Sequence, residues 1–360
     1  MSDEIWVLGA TGRSGRSIAA QLLARGVTPV LVGRDAARLQ AVATQVAGAR
    51  AVVADSVAAM AAEIRRQRPA VVVHTVGPFA ATAVPIAQAC LPASSYLDLG
   101  NDVIAAAGVL ALHRQAAPAG RTLVTGAGFG VLATESVVVA LCEGRGPAAQ
   151  VRTDMVPSVE LESGVLGESL AATILDGLPH GGRRYEHGQL VRARVGDDAT
   201  RLVLPDGPTV TTAGMPLGEL VAAQRASRAP SAVAASSEAP TGPAVRVILP
   251  VASALLSIAP LRAFAKRRLA QIKIAGREAP RQHSWAHAHV TWPDGSTREG
   301  WLRLGSASLF TAATSAEVAA RLLTGQGRPG AYTPAALFGP SLAEICGGEL
   351  LITPSADAPR

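Results

Sequence analysis

Three glycines spaced three residues apart near the amino terminus constrain this chain most. In VLGATGRSGRSIAAQLLARG, residues 7–26, they separate an apolar run from a segment with helical periodicity. A helix N-terminus presents unpaired N–H groups and a partial positive charge, and glycine lets a pyrophosphate approach the backbone. The strand–loop–helix context favours a dinucleotide-binding loop over a glycine turn that only packs a βα unit. The residues of this predicted loop are Gly9, Thr11, Gly12, Arg13, Ser14 and Gly15.

The first 130 residues have the pattern of a doubly wound parallel sheet. β-branched apolar runs alternate there with amphipathic segments, which is typical of strands covered by helices. Asp35 and Ser56 precede two of the amphipathic segments and are predicted to cap their helices. We therefore predict an N-terminal Rossmann domain over residues 1–130. Its six predicted strands lie at 4–8, 29–32, 50–54, 70–76, 95–99 and 121–125.

From residue 134 onward the pattern changes to longer strands mixed with helices. VRTDMVPSVEL and SWAHAHVTW predict strands, SLAATILDGL predicts a helix, and PDG at 293–295 predicts a hairpin turn. We predict an α+β substrate and dimerisation domain over 131–330, in which the Ala-, Ser- and Pro-rich segment 225–244 forms a mobile loop. The region from SAEVAARLLTG to PSLAEICGGELL is predicted to be helical, and residues 331–360 to pack back on the Rossmann domain.

The end of the second predicted strand indicates which dinucleotide would bind. An NAD site places an acid there to bond the ribose 2′-OH, whereas the 2′-phosphate of NADP requires cations. In LVGRDAARL, Gly33 is followed by Arg34, and Arg13 lies in the first loop, so NADPH/NADP is the predicted cofactor. Asp35 is explained as the helix cap. Asp55, at the end of the third strand, is placed to accept from the adenine amine or to cap a loop.

The composition of the chain argues against nucleic-acid binding and against structural zinc. The formal net charge of +6 comes almost entirely from arginine, and aromatic residues make up 3% of the chain, so the stacking platforms of single-stranded nucleic-acid binders are scarce. The three cysteines lie far apart without metal-ligand spacing, which suits a reducing compartment and disfavours structural zinc. The start MSDEIWVLG has acids where a secretory signal needs bases. We expect a cytoplasmic protein that binds a small-molecule substrate and no nucleic acid.

One apolar segment raises the question of a membrane. Residues 247–261 are strongly apolar, but a segment of 15 residues with two prolines is shorter than the roughly 20 residues that span a bilayer. Residues 262–281 follow with seven bases and one acid. Either 247–281 makes a peripheral membrane or lipid contact, or it is a core helix followed by a solvated one.

The chain lacks the catalytic pair of the short-chain dehydrogenases. That chemistry uses a tyrosine with a lysine four residues later, but the three tyrosines of this chain are followed at that spacing by Gly100, Gln189 and Ala336. Both lysines lie beyond residue 265. The chemistry of that class is therefore excluded.

Several motifs together resemble the saccharopine dehydrogenase-like reductases, which include trans-acting enoyl reductases. They are GATGxxG, the GR that ends strand two, VGPF at 76–79, YLDLGND at 96–102 and GAGFG at 126–130. The resemblance is good over 1–135, fair from 283 to 350 and poor between 190 and 280. It implies an NADP-binding Rossmann domain, a second domain whose sheet often mediates dimerisation, and a substrate cleft between them. Gly130 departs from the pattern, since relatives usually carry an acid there, and so does the loop at 164–167.

The remaining site residues are predicted from the ends of strands four and five. VGPF is expected to lie along the nicotinamide ribose, unless it is a plain βα turn. Its residues Val76, Gly77, Pro78 and Phe79, together with Asn101, complete the predicted cofactor site. Tyr96 and Asp98 share one face of strand five and are catalytic candidates, or else buried structural partners. Tyr185 and His187, in RRYEHGQ, are two further candidates.

Hydride addition leaves charge on the neighbouring atom, so a proton donor or a preorganised dipole assists it, or water serves instead; no single donor stands out in the sequence. If TDMVPSVELES is a strand, Asp154, Glu160 and Glu162 share one face. The histidines of QHSWAHAHVTW also share one face, which predicts a pocket, a subunit interface or an exposed sheet face, and no metal.

The resemblance and the first loop together predict an NADPH-dependent reductase acting on a C=N (imine) or C=C bond of a biosynthetic intermediate, with the C=N bond preferred. One alternative is a trans-acting enoyl reductase on a lipid-linked or carrier-tethered substrate. The other is a non-catalytic NADP-binding sensor or scaffold. We expect a homodimer.

Overall fold

The computed structural model describes residues 3–159, 164–165, 181–240, 242, 258–274 and 279–352. The chain divides into two compact units. The first combines Met1–Leu132 with Ser308–Leu342, and the second combines Ala133–Ala307 with Ala343–Arg360. The predicted helix SLAATILDGL, the acidic candidates Glu160 and Glu162, and residues 247–257 lie outside the described residues.

Strands and helices alternate from residue 5 to residue 142. The strands are β1 (Ile5–Leu8), β2 (Val30–Gly33), β3 (Ala51–Val53), β4 (Val71–His74), β5 (Ser95–Asp98) and β6 (Thr122–Val124). The helices are α1 (Arg13–Ala24), α2 (Ala36–Gln45), α3 (Val57–Gln67), α4 (Phe79–Cys90), α5 (Val103–Ala111), α6 (His113–Ala116) and α7 (Phe129–Cys142). All six predicted strands form.

Twelve further strands follow after residue 149 in the described parts of the chain. They are β7 (Gln150–Val156), β8 (Gly164–Val165), β9 (Gly182–Glu186), β10 (Gln189–Ala193), β11 (Thr200–Val203), β12 (Thr209–Gly214), β13 (Ser231–Ser236), β14 (Lys273–Ile274), β15 (Ser284–Thr291), β16 (Thr297–Leu304), β17 (Gly330–Tyr332) and β18 (Glu349–Ile352). The longest of them are β7, β15 and β16. The helices are α8 (Glu219–Ser227), α9 (Ala259–Ala270), α10 (Ala307–Leu323), α11 (Pro334–Phe338) and α12 (Ser341–Ile345).

The first unit is a doubly wound Rossmann-type domain. Its seven strands are all parallel, in the order β17-β6-β5-β4-β1-β2-β3. No residue of β1 is exposed to solvent, and β4 is equally buried, because helices on both faces of a parallel sheet require continuous apolar runs. The strand order reverses between β1 and β4, which is where such sheets open a crevice at their carboxyl ends.

Both predicted helix caps of the first unit are confirmed. The Asp35 carboxylate accepts from the Arg38 N–H at 3.0 Å, and the Ser56 hydroxyl accepts from the Ala59 N–H at 3.2 Å. Each bond satisfies an N–H group that has no partner within its helix. The Asp35 carboxylate therefore serves as the N-cap of α2.

The second unit is built on a mixed nine-stranded sheet. Its main path runs β10-β9-β13-β7-β15-β16-β18, while β12 pairs with β13 and with β11. Along this path β13 and β7 are parallel, and the other pairs are antiparallel. The predicted PDG hairpin turn between β15 and β16 is confirmed: the Trp292 N–H donates to the Ser296 carbonyl at 2.9 Å, and Gly295 has φ +80°.

Over the described residues 225–240, the prediction of a mobile loop for 225–244 is wrong. Helix α8 continues to Ser227, and β13 lies between β9 and β7. Ala232, Ala234 and Ala235 are each 1% exposed. Small side chains let α8 pack closely on this part of the sheet. Alanine and serine produce little hydrophobic alternation, so the sequence pattern did not reveal a buried strand.

The carboxyl-terminal third also differs from expectation. The region predicted to be helical contains β17, which pairs with β6, and β18, which pairs with β16. The first unit includes Ser308–Leu342, part of which we had placed in the second domain. Beyond Leu342 the chain belongs to the second unit, so 331–360 does not pack as one segment on the Rossmann domain.

Hydrogen exchange tests the reassignment of β13. We expect the amides of residues 231–236 to exchange slowly, because they are buried and pair with strands on both sides. Peptides covering the exposed turn at 206–207 serve as the fast-exchanging control. If 231–236 exchanged as fast as that turn, the segment would be the mobile loop that its composition suggests.

Candidate functional site

The loop after β1 holds three neighbouring strand ends together. The amides of Gly9 and Ala10 both donate to the Val32 carbonyl, at 2.9 and 3.1 Å, which joins the ends of β1 and β2. On the other side, the Thr75 hydroxyl donates to the Leu8 carbonyl at 2.7 Å, which joins β1 to β4. Gly9 has φ +77°, a conformation that L side chains rarely adopt. The loop therefore begins at the point where the strand order reverses.

Glycine is required for the close packing of this loop. A Cβ on Gly15 would lie 2.3 Å from the Gly9 carbonyl oxygen, and a Cβ on Gly9 would lie 2.6 Å from the Thr75 hydroxyl. Helix α1 can therefore begin directly against the end of β1. No side chain caps it within the described chain: its N-cap is Gly12, and its first turn contains no acid. Exposed residues 12–14 thus present an N-terminus that suits an anion.

Two predicted cofactor residues follow the next strands of the sheet. Arg34 comes directly after β2 and is exposed, whereas Asp35 is turned to its own helix. Asp55 follows β3 and is also exposed. Because parallel strands end at one edge of a sheet, these residues share the edge of the glycine loop. The edge thus carries an exposed arginine at the position where an NAD site carries an acid.

The VGPF segment leads from β4 into the N-terminus of α4 at the same edge of the sheet. Residues 76–79 are half-buried after β4, and Pro78 is the N-cap of α4, so no side chain caps that helix either. The Thr82 hydroxyl donates to the carbonyls of Val76 and Pro78, at 2.7 and 3.1 Å, which holds the turn in shape. Asn101, the last of the predicted cofactor residues, is half-buried in the loop after β5. The fold brings every predicted cofactor residue to the carboxyl ends of β1 to β5.

Tyr96 and Asp98 form a buried network on one face of β5, as the spacing predicts. The Tyr96 hydroxyl donates to Asp98 Oδ2 at 2.8 Å, and neither residue is exposed. Asp98 Oδ1 accepts from the Gly100 N–H at 2.8 Å, the Gly126 N–H at 3.0 Å and the Thr125 hydroxyl at 3.1 Å. This carboxyl group therefore ties the end of β5 to the loop after β6.

A residue that we did not predict, His74, extends this network. It ends the apolar strand VVVH, and its Nδ1 lies 3.0 Å from the Tyr96 hydroxyl oxygen. Since that hydroxyl donates its only proton to Asp98, Nδ1 carries the hydrogen of this contact. Nε2 is buried and has no hydrogen-bond partner among the described residues. The available signal was a polar side chain at the end of a wholly apolar strand.

Burial controls the protonation of this network. It lowers the pKa of His74 to about 3, so the imidazole is neutral. Burial also raises the pKa of Asp98, although four hydrogen-bond donors oppose the shift, and it raises the pKa of Tyr96 well above its usual range. Tyr96 and Asp98 are therefore enclosed and fully engaged with each other and with the backbone.

The other two catalytic candidates lie in the second unit. Tyr185 is on β9 and half-buried, and burial raises its pKa. His187 is exposed in the tight turn between β9 and β10, with φ +50°. Within the described residues neither has a side-chain hydrogen bond of the kind that holds Tyr96.

Among the histidines of β15, His287 is the centre of a buried charge cluster. Its Nδ1 lies 2.8 Å from Asp154 Oδ2 on β7, and its Nε2 lies 2.9 Å from Glu299 Oε1 on β16. Arg152 donates to Asp154 from Nε and Nη2, at 3.0 and 2.8 Å to Oδ1. The Thr212 hydroxyl adds a donor to the same oxygen at 2.6 Å. Both ring nitrogens of His287 are therefore occupied by carboxylates.

This cluster favours the protonated form of His287. Burial by itself lowers the pKa of His287, but the hydrogen bonds to Asp154 and Glu299 raise it overall. Burial likewise acts to raise the pKa of Asp154, but His287 and Arg152 lower it below its usual range. The hydrogen bond from His287 lowers the pKa of Glu299. Across the described ranges no group of three or more His, Cys, Asp or Glu side chains is placed to hold a metal ion.

Sequence comparison connects the chain to one set of curated proteins. It is 28% identical over 222 residues to proteins named trans-acting enoyl reductase from Mycobacterium bovis and Mycobacterium tuberculosis. The match covers 58% of this chain and 49% of each relative, so the chain spans about half the length of the curated relatives that it matches. No protein-family model matches the chain.

Structural comparison gives the fold. Saccharopine dehydrogenase (L-Glu forming) from Saccharomyces cerevisiae, solved in its apo form, matches 97% of this chain and 99% of its own, with a TM-score of 0.62. The two chains are 12% identical, so the likeness concerns the fold. The chain has the saccharopine dehydrogenase fold, and the resemblance that the motifs indicated is confirmed at that level.

The charge cluster predicts how stability depends on pH. The raised pKa of His287 means that its stabilising contribution is complete below its ordinary pKa near 6.5 and is lost as the pH rises through the folded value. The lowered pKa of Asp154 means that its contribution is present above 3.8 and is lost as the pH falls through the folded value. We expect His287→Gln to lower the free energy of unfolding by about 3 kcal/mol near pH 6 and to flatten its decline at alkaline pH.

Denaturant unfolding over a pH series measures this effect. His289→Gln is the matched control, because His289 lies on the same face of β15 but is partly exposed. That variant should retain the pH dependence of the wild type. An unchanged pH profile in His287→Gln would mean that the imidazole carries no charge in the folded protein.

Proposed function

We propose that this chain is an NADPH-dependent oxidoreductase that delivers a hydride to a C=N or C=C bond of a small biosynthetic intermediate. The observation that carries the proposal is the uncapped N-terminus of α1 behind a glycine loop, with exposed Arg34 at the end of the adjacent strand. The saccharopine dehydrogenase fold and the match to trans-acting enoyl reductases support the same class.

Each predicted cofactor residue has a part in this proposal. The N–H groups of residues 13–15 would bind the pyrophosphate, while the guanidinium groups of Arg13 and Arg34 would pair with the 2′-phosphate. Asp55 would accept from the adenine amine. Residues 76–79 and Asn101 would line the nicotinamide ribose. When bound, NADPH supplies the hydride from C4 of the nicotinamide ring.

The proton that completes the reduction requires a donor with a free hydrogen. The only hydroxyl proton of Tyr96 is directed at Asp98, and both residues are closed off from solvent. We therefore assign Tyr96 and Asp98 to positioning the ends of β5 and β6 beside the nicotinamide. Tyr185 and His187 are the proposed donors, because they are more accessible.

A second candidate chemistry is enoyl reduction on a lipid-linked or carrier-tethered substrate. The observation in its favour is the sequence match to trans-acting enoyl reductases, although it covers only about half of their length. A third candidate, an NADP-binding sensor without turnover, is supported by the engagement of Tyr96 and Asp98 in the buried network. Assembly as a homodimer, which the resemblance implies, belongs to the same proposal.

A charge reversal tests the cofactor assignment. We expect Arg34→Asp to weaken NADPH binding by roughly 10- to 100-fold, because it removes a charge-assisted contact and places a carboxylate beside the 2′-phosphate. Its effect on NADH affinity should be small. Fluorescence titration measures both affinities.

Arg38→Asp is the matched control for this experiment. It makes the same charge change one helical turn further along, where the guanidinium lies beside Asp35 and is largely exposed. Its NADPH affinity should stay within a few-fold of wild type. Equal affinities in wild type and Arg34→Asp would reject the NADP assignment.

Turnover separates the enzymatic candidates. We expect NADPH absorbance to fall when the protein is mixed with either a cyclic imine or an α,β-unsaturated thioester, and the active class identifies the bond reduced. If Tyr185 is the donor, Tyr185→Phe should lower kcat by about 10²- to 10⁴-fold with little change in NADPH affinity. Intact NADPH binding with no turnover on either class would favour the sensor.

A further inference from the structure

One helix of the second unit carries an unusual concentration of exposed apolar side chains. Among the described residues eight large apolar side chains are exposed, and four of these eight lie within residues 258–272. They are Ile258, Leu261, Phe264 and Ile272, with exposed fractions of 53, 40, 56 and 51%. We call residues 258–272, which comprise α9 and its flanks, the α9 surface. Large apolar groups that cluster on a surface indicate a binding face.

These side chains fall on one side of the helix. Leu261 and Phe264 are three residues apart, which places them one above the other on α9. Ile258 precedes Leu261 by three residues at the beginning of the helix, and Ile272 follows its end. Ile258, Leu261 and Phe264 therefore lie along one side of the first half of α9, and Ile272 lies beyond its last turn.

The charge of the surface has one sign. Residues 258–272 contain four bases and no acid. Arg267 and Arg268 are exposed in the last turn of α9, and the Arg268 guanidinium lies over the Phe264 ring, 5.6 Å from its centre. Apolar and basic groups are therefore interleaved, so a complementary surface must offer both hydrocarbon and negative charge.

A lipid surface with anionic headgroups meets both conditions. No helix within the described ranges is long and apolar enough to cross a membrane. The 12 residues of α9 extend about 18 Å, which suits a helix lying in the plane of the headgroups. We propose that the α9 surface docks on anionic lipid, with Leu261 and Phe264 inserted at the acyl boundary and the arginines on the phosphates.

This inference does not depend on hydride transfer. It places the chain at a surface where lipid-linked intermediates are found, whichever bond the protein reduces. Vesicle binding and NADPH binding are measured separately, so either proposal can fail without the other.

Co-sedimentation with vesicles provides the test. We expect the full chain to bind vesicles that contain phosphatidylserine, to bind phosphatidylcholine vesicles weakly, and to lose affinity as salt is raised. The double variant Leu261→Ser/Phe264→Ser should bind the anionic vesicles at least about tenfold more weakly, because two apolar side chains no longer enter the bilayer. Arg267→Gln/Arg268→Gln should lose part of the salt dependence.

The matched control is Val203→Ser/Ile345→Ser, which removes two apolar side chains outside the α9 surface that are more exposed than Leu261 and Phe264, at 66 and 57%. It should bind like wild type, and all variants should keep their far-UV circular dichroism and NADPH affinity. Wild-type binding by the Leu261/Phe264 variant would overturn the proposal. So would failure of the wild type to bind anionic vesicles, and in that case self-association that the same variant abolishes would identify a second copy as the occupant.

Discussion

The Rossmann unit depends on one close contact, between the Gly9 carbonyl and the backbone of Gly15. A side chain at position 15 would place a carbon 2.3 Å from that oxygen, so α1 can begin at this point only if residue 15 is glycine. The contact sets the direction of α1 and leaves its first N–H groups without side-chain acceptors. It also holds the loop against Thr75, so that the ends of β1 and β4 meet. Any anion site at this edge follows from that packing.

The same edge is reinforced by a buried carboxyl group. Asp98 accepts four hydrogen bonds from two segments of the chain, residues 96–100 and 125–126. It thereby satisfies N–H groups that the strand ends leave unpaired. A serine or asparagine there would supply fewer acceptor positions. Burial of the Asp98 carboxyl group is tolerated because both of its oxygens accept hydrogen bonds. The network gives the end of β5 a fixed geometry, which a binding edge requires.

The sequence predicted the first unit well because its signals are local. The central strands β1, β2 and β4 are almost wholly apolar runs, and Asp35 and Ser56 cap the helices that follow them in sequence. The glycine spacing identified the loop, since its packing requirement acts over six residues. By contrast, β17 pairs with β6 across two hundred residues of chain, and no local pattern reports such a contact. β13 was missed because alanine and serine carry no alternation, although their small size is what lets them lie under α8.

The two buried histidines show why site chemistry was harder to predict than fold. His74 and His287 each follow an apolar residue on a strand, and neither sequence names the partners of the imidazole. His74 meets a hydroxyl and an aromatic ring, so burial decides and the imidazole is neutral. His287 lies between Asp154, 133 residues away in sequence, and Glu299, 12 residues away. The two carboxylates outweigh the effect of burial, so the pKa of His287 is raised and its protonated form is favoured. A strand pattern specifies which side chains face the same way. The protonation of a buried histidine depends on its partners in neighbouring strands, because the strand register determines which side chains lie next to the imidazole.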